Sequence, residues 1–177
     1  FLEQAASAVP GIPSRDLLPD GSVTALARAF GKGHSLGMGT EDGRVIPVTI
    51  EFTQDFQGNE RSISPSVTVG TPIPVAPTPQ AITRMAYQST ESEVRVAALL
   101  HDQHLWLTTS RNTSRPDGTI AASIAQIDLT SHISGQVTAL TLGSRAELLA
   151  VGTEKGKVYH FDLREPASPV LTDTTQT

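Results

Sequence analysis

The sequence predicts an all-β protein built from three tandem units of four strands each. Three observations predict this fold class: a segment that repeats along the chain, short runs of alternating Val, Ile and Thr between turn residues, and the absence of a long stretch with a period of 3.6 residues. The 177 residues suit about one domain. We divide the chain into a lead-in segment, residues 1–22, and a repeat domain, residues 23–177.

The repeat is clearest between the two ends of this domain. The tetrapeptide Val-Thr-Ala-Leu at residues 23–26 recurs at residues 137–140. Further along, residues 39–45 recur as residues 152–158, with Gly, Thr, Glu, Gly, a cation and Val in the same order. Halfway between the copies, Ile-Thr-Arg-Met begins at residue 82. Units therefore start near residues 23, 82 and 137.

Each unit is expected to form four short strands, because Val, Ile and Thr favour extended backbone. The first unit has strands at residues 23–30, 36–40, 44–52 and about 62–69; the second at 82–87, 94–100, 104–109 and 120–129; the third at 137–142, 148–152, 157–163 and 170–173. Gly43 and Gly156 are predicted as turn glycines, since glycine accepts the positive φ of tight hairpins. The middle unit has His101-Asp102-Gln103 at that turn and no glycine.

A proline-rich segment separates the first two units. Residues 70–79 contain four prolines, which cannot donate hydrogen bonds to a central strand ladder. We interpret this segment as an extended connector, or as an edge strand that ends in one. The chain starts with Phe1, and we expect it to be a piece of a longer protein.

Composition excludes several classes of function. The chain has 13 Lys and Arg against 18 Asp and Glu, a net charge of −5, which argues against a nucleic-acid-binding surface. It has no cysteine, so it has no disulfide and no thiolate zinc site. No stretch approaches the roughly 18 apolar residues of a membrane span, so any membrane attachment would come from segments outside this chain.

Few residues carry recognisable catalytic chemistry. Ser35 lies in Gly-His-Ser-Leu-Gly, which matches the nucleophile motif of α/β-hydrolases, but the glycines that follow it do not suit the helix that the motif requires. His101 and His104 flank a carboxylate, yet side chains on a β-turn diverge, whereas metal ligands converge. Arg95, Arg111 and Arg115 are interpreted as a solvated face. We therefore expect no enzyme activity, no metal and no cofactor.

Four-stranded units in tandem are typical of a β-propeller, in which each blade packs against its neighbours around an axis. A closed propeller needs about four to eight blades, and three units are too few. Either further blades lie outside this chain, or two chains combine into one ring, or the three units stack without closing.

The third unit resembles a WD repeat. The resemblance rests on residues 132–140, 148–153 and 156–163, in which Phe161-Asp162 stands where that family has Trp-Asp. In WD blades a His before the first strand and an Asp near the third strand are joined through hydrogen bonds. The resemblance implies this structural role for His132 and Asp162.

Residues 15–26 and 37–45 are similar to the large soluble domain inserted in some proteobacterial phosphate ABC-transporter permeases. The resemblance implies a non-enzymatic periplasmic domain of an inner-membrane protein, which contacts other transporter subunits or a periplasmic protein and serves interaction or regulation of phosphate uptake. One alternative is a free-standing WD-like scaffold that binds protein or peptide. A third is a serine esterase that uses Ser35. Because partial propellers leave edge strands open, we also expect a homodimer.

Overall fold

The structure, a computed structural model, describes residues 22–30, 34–57, 60–90, 92–114 and 120–176. Over these ranges the chain forms three antiparallel sheets and no α-helix, and the only helical turn described is a short 3₁₀ turn at Thr130–His132. The predicted all-β class and the three sets of four antiparallel strands are confirmed. The lead-in segment lies outside the described residues, except for Ser22.

In each sheet the four main strands lie in the order in which they follow one another along the chain. Sheet 1 contains β1 (Val23–Arg28), β2 (His34–Thr40), β3 (Arg44–Gln57), β4 (Glu60–Val69) and a short β5 (Ile73–Pro74); sheet 2 contains β6 (Ile82–Ser89), β7 (Glu93–Leu100), β8 (Leu105–Ser114) and β9 (Ile120–Asp128); sheet 3 contains β10 (Val137–Leu142), β11 (Leu148–Thr153), β12 (Lys157–Asp162) and β13 (Val170–Gln176). The sheets begin at residues 23, 82 and 137.

The proline-rich connector contributes the fifth strand of sheet 1. β5 pairs with the start of β3, where Ile73 lies opposite Val45. The Val75 amide then donates to the Gly43 carbonyl at 3.0 Å. The connector is therefore held against sheet 1 as a short edge strand, in agreement with the second of the two sequence interpretations.

The hairpin turn between the second and third strands of each sheet uses left-handed backbone. Gly43 has a φ of 76° and Gly156 a φ of 72°. In sheet 2, Gln103 adopts a φ of 68° at the corresponding turn, although it carries a side chain. The turn geometry is thus retained in the unit that lacks the glycine.

Sheet 2 lies between the other two sheets. The face that carries Ile82, Met85 and Tyr87 packs against sheet 1, and the face that carries Ala86 and Leu99 packs against sheet 3. We call the face of sheet 2 that carries Met85 and Tyr87 its front face, and we use the same name for the corresponding face of sheets 1 and 3. The opposite face of each sheet is its back face. The back of sheet 1 therefore meets the front of sheet 2, and the back of sheet 2 meets the front of sheet 3.

Two glycines allow the close approach of sheet 1 to sheet 2. A methyl group added at Gly37 would lie 2.6 Å from the Tyr87 ring and 2.7 Å from the end of Met85. One added at Gly39 would lie 3.0 Å from the Met85 sulfur. Because these two positions on the back of sheet 1 have no side chain, Met85 and Tyr87 on the front of sheet 2 fit closely against it.

One buried amide connects all three sheets. The Gln88 side chain, on β6, is in a residue only 4% exposed. Its Nε2 donates to the carbonyls of Phe30 at 2.7 Å and Ser144 at 3.0 Å, and its Oε1 accepts from the Phe30 amide at 2.9 Å. Phe30 follows β1 and Ser144 follows β10, so these hydrogen bonds fix the ends of the inner strands relative to one another.

Among the described residues, no helix is both long enough and apolar enough to span a lipid bilayer.

Candidate interaction surface

Ser35 lies within a strand and not at a strand-to-helix turn. It pairs with Thr49 across β2 and β3, and its Oγ is 3.4 Å from the Tyr87 hydroxyl. The neighbouring His34 has its ring edge-on to Phe52, with centroids 5.0 Å apart. A nucleophile motif works through a sharp turn that exposes the serine, and the backbone at Ser35 does not make one.

At the turn of sheet 2, His104 pairs with a carboxylate of a neighbouring strand. His104 Nδ1 lies 2.9 Å from Asp128 Oδ2, and this hydrogen bond raises the pKa of His104 above its ordinary value of 6.5. Asp128 accepts from the Thr130 amide at 2.8 Å, and Thr130 Oγ1 accepts from the Leu105 amide at 2.9 Å. This network holds the end of sheet 2 together. Within the described ranges, no group of three or more His, Asp or Glu residues could hold a metal ion.

His132 and Asp162 each contact a different partner. The His132 ring lies edge-on to Phe161, with centroids 6.1 Å apart. Asp162 accepts hydrogen bonds from the backbone amide of Arg164 and from its guanidinium, at 2.9 Å in each case. The guanidinium lowers the pKa of Asp162 to about 2. The structure therefore joins Asp162 to Arg164 and sets His132 against an aromatic ring of the front of sheet 3.

The interpretation of Arg95 as part of a solvated face is wrong, because the residue is only 7% exposed. Its Nη1 donates to the carbonyls of Ala146 at 2.5 Å and Leu163 at 2.7 Å, both in sheet 3 loops. Its guanidinium also forms an ion pair with Glu93, which in turn binds Arg111. Arg95 thus ties sheet 2 to sheet 3, and it satisfies carbonyls that would otherwise be buried unpaired. Arg115 lies outside the described residues.

The outer end of the β3–β4 hairpin is a fully exposed two-stranded ribbon. Pairing of β2 with β3 reaches Ile50, whereas pairing of β3 with β4 continues to Gln57 and Glu60. We call residues 51–56 and 61–66 the arm, and every residue of both segments is exposed. At 3.3 Å per residue, its length is roughly 20 Å.

The arm is apolar on one face and polar on the other. Phe52 lies opposite Pro65, Gln54 opposite Ile63, and Phe56 opposite Arg61, so these six side chains share the front face. The opposite face carries two carboxylates and four hydroxyls, from Glu51, Thr53, Asp55, Ser62, Ser64 and Ser66. Phe56 is 70% exposed, Phe52 51% and Ile63 52%. Large apolar side chains that line one exposed face are typical of interaction sites.

The front of sheet 1 continues this apolar face toward the centre of the molecule. A small buried cluster of Met38, Ile46 and Val48 lies on it. Leu26, on the innermost strand, is 57% exposed. The front face is therefore covered in the middle and open at both ends, along β1 and along the arm.

The sequence pattern predicts that the third strand of the first unit ends at residue 52, whereas β3 continues to Gln57. The predicted strands therefore do not include most of the arm. The signal that could have found it is the alternation of apolar residues beyond that point. Phe52 and Phe56 continue the series of Ile46, Val48 and Ile50, and Ile63 and Val67 return on the opposite strand.

A scan against protein-family models finds no match to this chain, and a search of curated proteins finds none either.

Proposed function

We propose that the protein is a non-enzymatic interaction domain, that its three sheets are blades of a β-propeller, and that the arm is the element that contacts a partner. The observation that carries this proposal is the arm itself: two paired strands stand clear of the sheet with Phe52, Ile63 and Phe56 exposed on one face. A two-stranded ribbon gains little stability alone, so burying this apolar face on another protein is a favourable role for it.

The chemistry of the arm favours a protein surface as its target. Its apolar face includes one cation, Arg61, and its polar face carries the carboxylates Glu51 and Asp55. This charge balance argues against nucleic acid as a partner, because phosphate binding normally uses clustered Lys and Arg. An apolar patch on another protein matches the phenylalanines, and the polar face stays in water.

The resemblance of residues 15–26 and 37–45 to the inserted domain of phosphate ABC-transporter permeases suggests what that partner is. We place the domain in the periplasm, as part of an inner-membrane permease, where the arm contacts another transporter subunit or the periplasmic phosphate-binding protein. Its role is then protein interaction in the regulation of phosphate uptake, without chemistry on phosphate.

Binding measurements with purified transporter components test this function. The chain is immobilised, and the phosphate-binding protein and the detergent-solubilised transporter subunits are passed over it separately. Burial of one phenylalanine contributes about 1.5–3 kcal/mol, so Phe56→Ser is expected to weaken binding by about tenfold or more. Thr53→Ala, on the opposite face of the same strand, is the matched control and is expected to bind like the parent chain.

Two outcomes would contradict the proposal. One is that none of the transporter components binds; selective binding of peptides in their place would favour the free-standing scaffold. The other is that Phe56→Ser and Thr53→Ala bind equally well, since the arm would then not be the contact. Circular dichroism of both variants checks that each retains the parent fold.

A further inference from the structure

The two internal sheet contacts follow one rule. In each, the inner strand of one sheet presents large side chains on its front face to small side chains on the back face of the preceding sheet. Met85 and Tyr87 of sheet 2 lie against Gly37 of sheet 1. Leu142 of sheet 3 belongs to the cluster that contains Ala86 and Ala97 of sheet 2, and Leu140 packs against that cluster. The inner strands β1, β6 and β10 make these contacts.

Strand pairing identifies which residues of the three sheets correspond. On the back face, Ala27, Ala86 and Thr141 occupy one position, and Gly37, Ala97 and Ala150 the position paired with it. On the front face, Leu26, Met85 and Leu140 correspond, and Arg28, Tyr87 and Leu142 correspond. The back of sheet 3 thus corresponds to the small-side-chain half of an internal sheet contact. The front of the inner strand β1 corresponds to the large-side-chain half.

Each half is more exposed than its counterparts in the two internal contacts. Leu26 is 57% exposed, whereas its counterpart Met85 is buried against sheet 1. On the back of sheet 3, Thr141 is exposed and Ala150 half-buried, whereas Ala86 and Ala97 are buried against sheet 3. A side chain added at Gly152 would meet only Ala139 of its own sheet.

Charge also matches across these two surfaces. Arg28 is exposed on the front of sheet 1, where sheets 2 and 3 have Tyr87 and Leu142. Asp173 is exposed on the back of sheet 3. It lies in the same cross-strand row as Ala150, because Ala150 pairs with His160 and His160 pairs with Asp173. An arginine that lies over Ala150 can extend along this row toward the carboxylate.

We infer that two copies of this chain associate head to tail, with the back of sheet 3 of each copy against β1 of the other. Two such contacts close a ring of six sheets with two-fold symmetry. The inference rests on the proposed propeller arrangement, but it uses a surface other than the arm. Because Met38, Ile46 and Val48 are already buried, the contact runs along the inner strands, as the internal contacts do.

The absence of cysteine makes a disulfide test clean. By analogy with Gly37 and Met85, Leu26 of one copy lies over Ala150 of the other, so the double variant Leu26→Cys, Ala150→Cys is oxidised and run on a non-reducing gel. The expected product is a dimer with twice the 18.7 kDa mass of the chain, and peptide mass mapping should place the bond between positions 26 and 150. The matched control pairs Leu26→Cys with Glu165→Cys, an exposed loop position outside the contact, and should remain monomeric.

Light scattering of the unmodified chain gives the second readout. We expect a closed dimer, with no larger assembly, when the chain is measured at about 1 mM. A monomer at that concentration, open-ended larger assemblies, or a dimer that links the control pair as well as the test pair would overturn the inference. The binding test with Phe56→Ser does not depend on these results, so a failed ring and a failed interaction function give different outcomes.

Discussion

A few buried polar side chains set the relative positions of the three sheets. Gln88 hydrogen-bonds to backbone beside β1 and β10, and Arg95 hydrogen-bonds to two carbonyls of sheet 3. Polar groups buried this fully are stabilising only while every partner is present, because a donor or acceptor left unpaired in the interior is unfavourable by about 1–3 kcal/mol. The sheet arrangement therefore depends on single residues that lie far apart in the chain.

Replacing Gln88 tests this dependence. Gln88→Ala removes the partner of the Phe30 amide and of two carbonyls, so the free energy of unfolding should fall by about 1–3 kcal/mol. Urea denaturation measures the change. Gln136→Ala, at an exposed position, should leave the midpoint unchanged; an equal loss in both variants would show that the buried amide has no special role.

The carboxyl of Asp162 gives a prediction for pH. Its folded-state pKa is about 2, against an ordinary value of 3.8, because Arg164 donates hydrogen bonds to the ionised form. A depressed folded pKa contributes stability that is present above pH 3.8 and is lost as the pH falls toward 2. Carbon-13 NMR titration of the side-chain carboxyl should give a pKa of about 2 in the parent chain and a higher pKa in Arg164→Ala, which loses the guanidinium but keeps the backbone amide donor. If the substitution leaves the pKa of Asp162 unchanged, the Arg164 guanidinium is not the cause of the low value.

At the scale of elements, each contact between sheets is formed by a face with small side chains and a face with large ones. The back of sheet 1 is small, with Gly37 and Gly39, and the front of sheet 2 is large, with Ile82, Met85 and Tyr87. Close-packed interiors do not accept added volume without displacing neighbours. The spacing between these two sheets is therefore set by side-chain size on both of them.

Gly37→Ala is the direct test of this packing. The added methyl would lie 2.6 Å from the Tyr87 ring, so the free energy of unfolding should fall by about 1–3 kcal/mol. Gly143→Ala provides the matched control, because its methyl would meet Leu148 at 3.6 Å, an ordinary contact distance. Thermal unfolding of the two variants checks the prediction, which fails if Gly37→Ala is as stable as the control.

Elements were predictable from the sequence to the extent that local patterns determine them. Alternation and turn glycines located all twelve main strands, and proline density indicated the edge strand β5. The length of the arm was underestimated because the predicted strand stopped at Phe52. The roles of Gln88 and Arg95 were not predictable, since their carbonyl partners lie 51 to 68 residues away and only the packing of sheets brings them together.

At the scale of the whole molecule, sheet 2 is the only one of the three with described sheets against both of its faces. Local opening is least favourable where backbone is covered on every side, and most favourable where strands are exposed. Stability should therefore decrease from the middle sheet outward.

Hydrogen exchange should display this gradient. Amides of β7 are expected to exchange slowest, because this strand pairs with β6 on one side and β8 on the other and is largely buried. Amides of the arm should exchange fastest among the paired strands. Mass-spectrometric exchange of the native chain measures both regions in one experiment, and uniform protection across the three sheets would contradict the expected order.

Each sheet is made from one continuous stretch of chain, since strands β1 to β5, β6 to β9 and β10 to β13 never exchange between sheets. At the level of the gene, an in-frame tandem duplication of one such stretch would encode a complete additional sheet, with its own turns and its own packing faces. A lineage could therefore lengthen or shorten this protein by whole units through ordinary recombination, without disturbing the hydrogen bonding of the units it keeps.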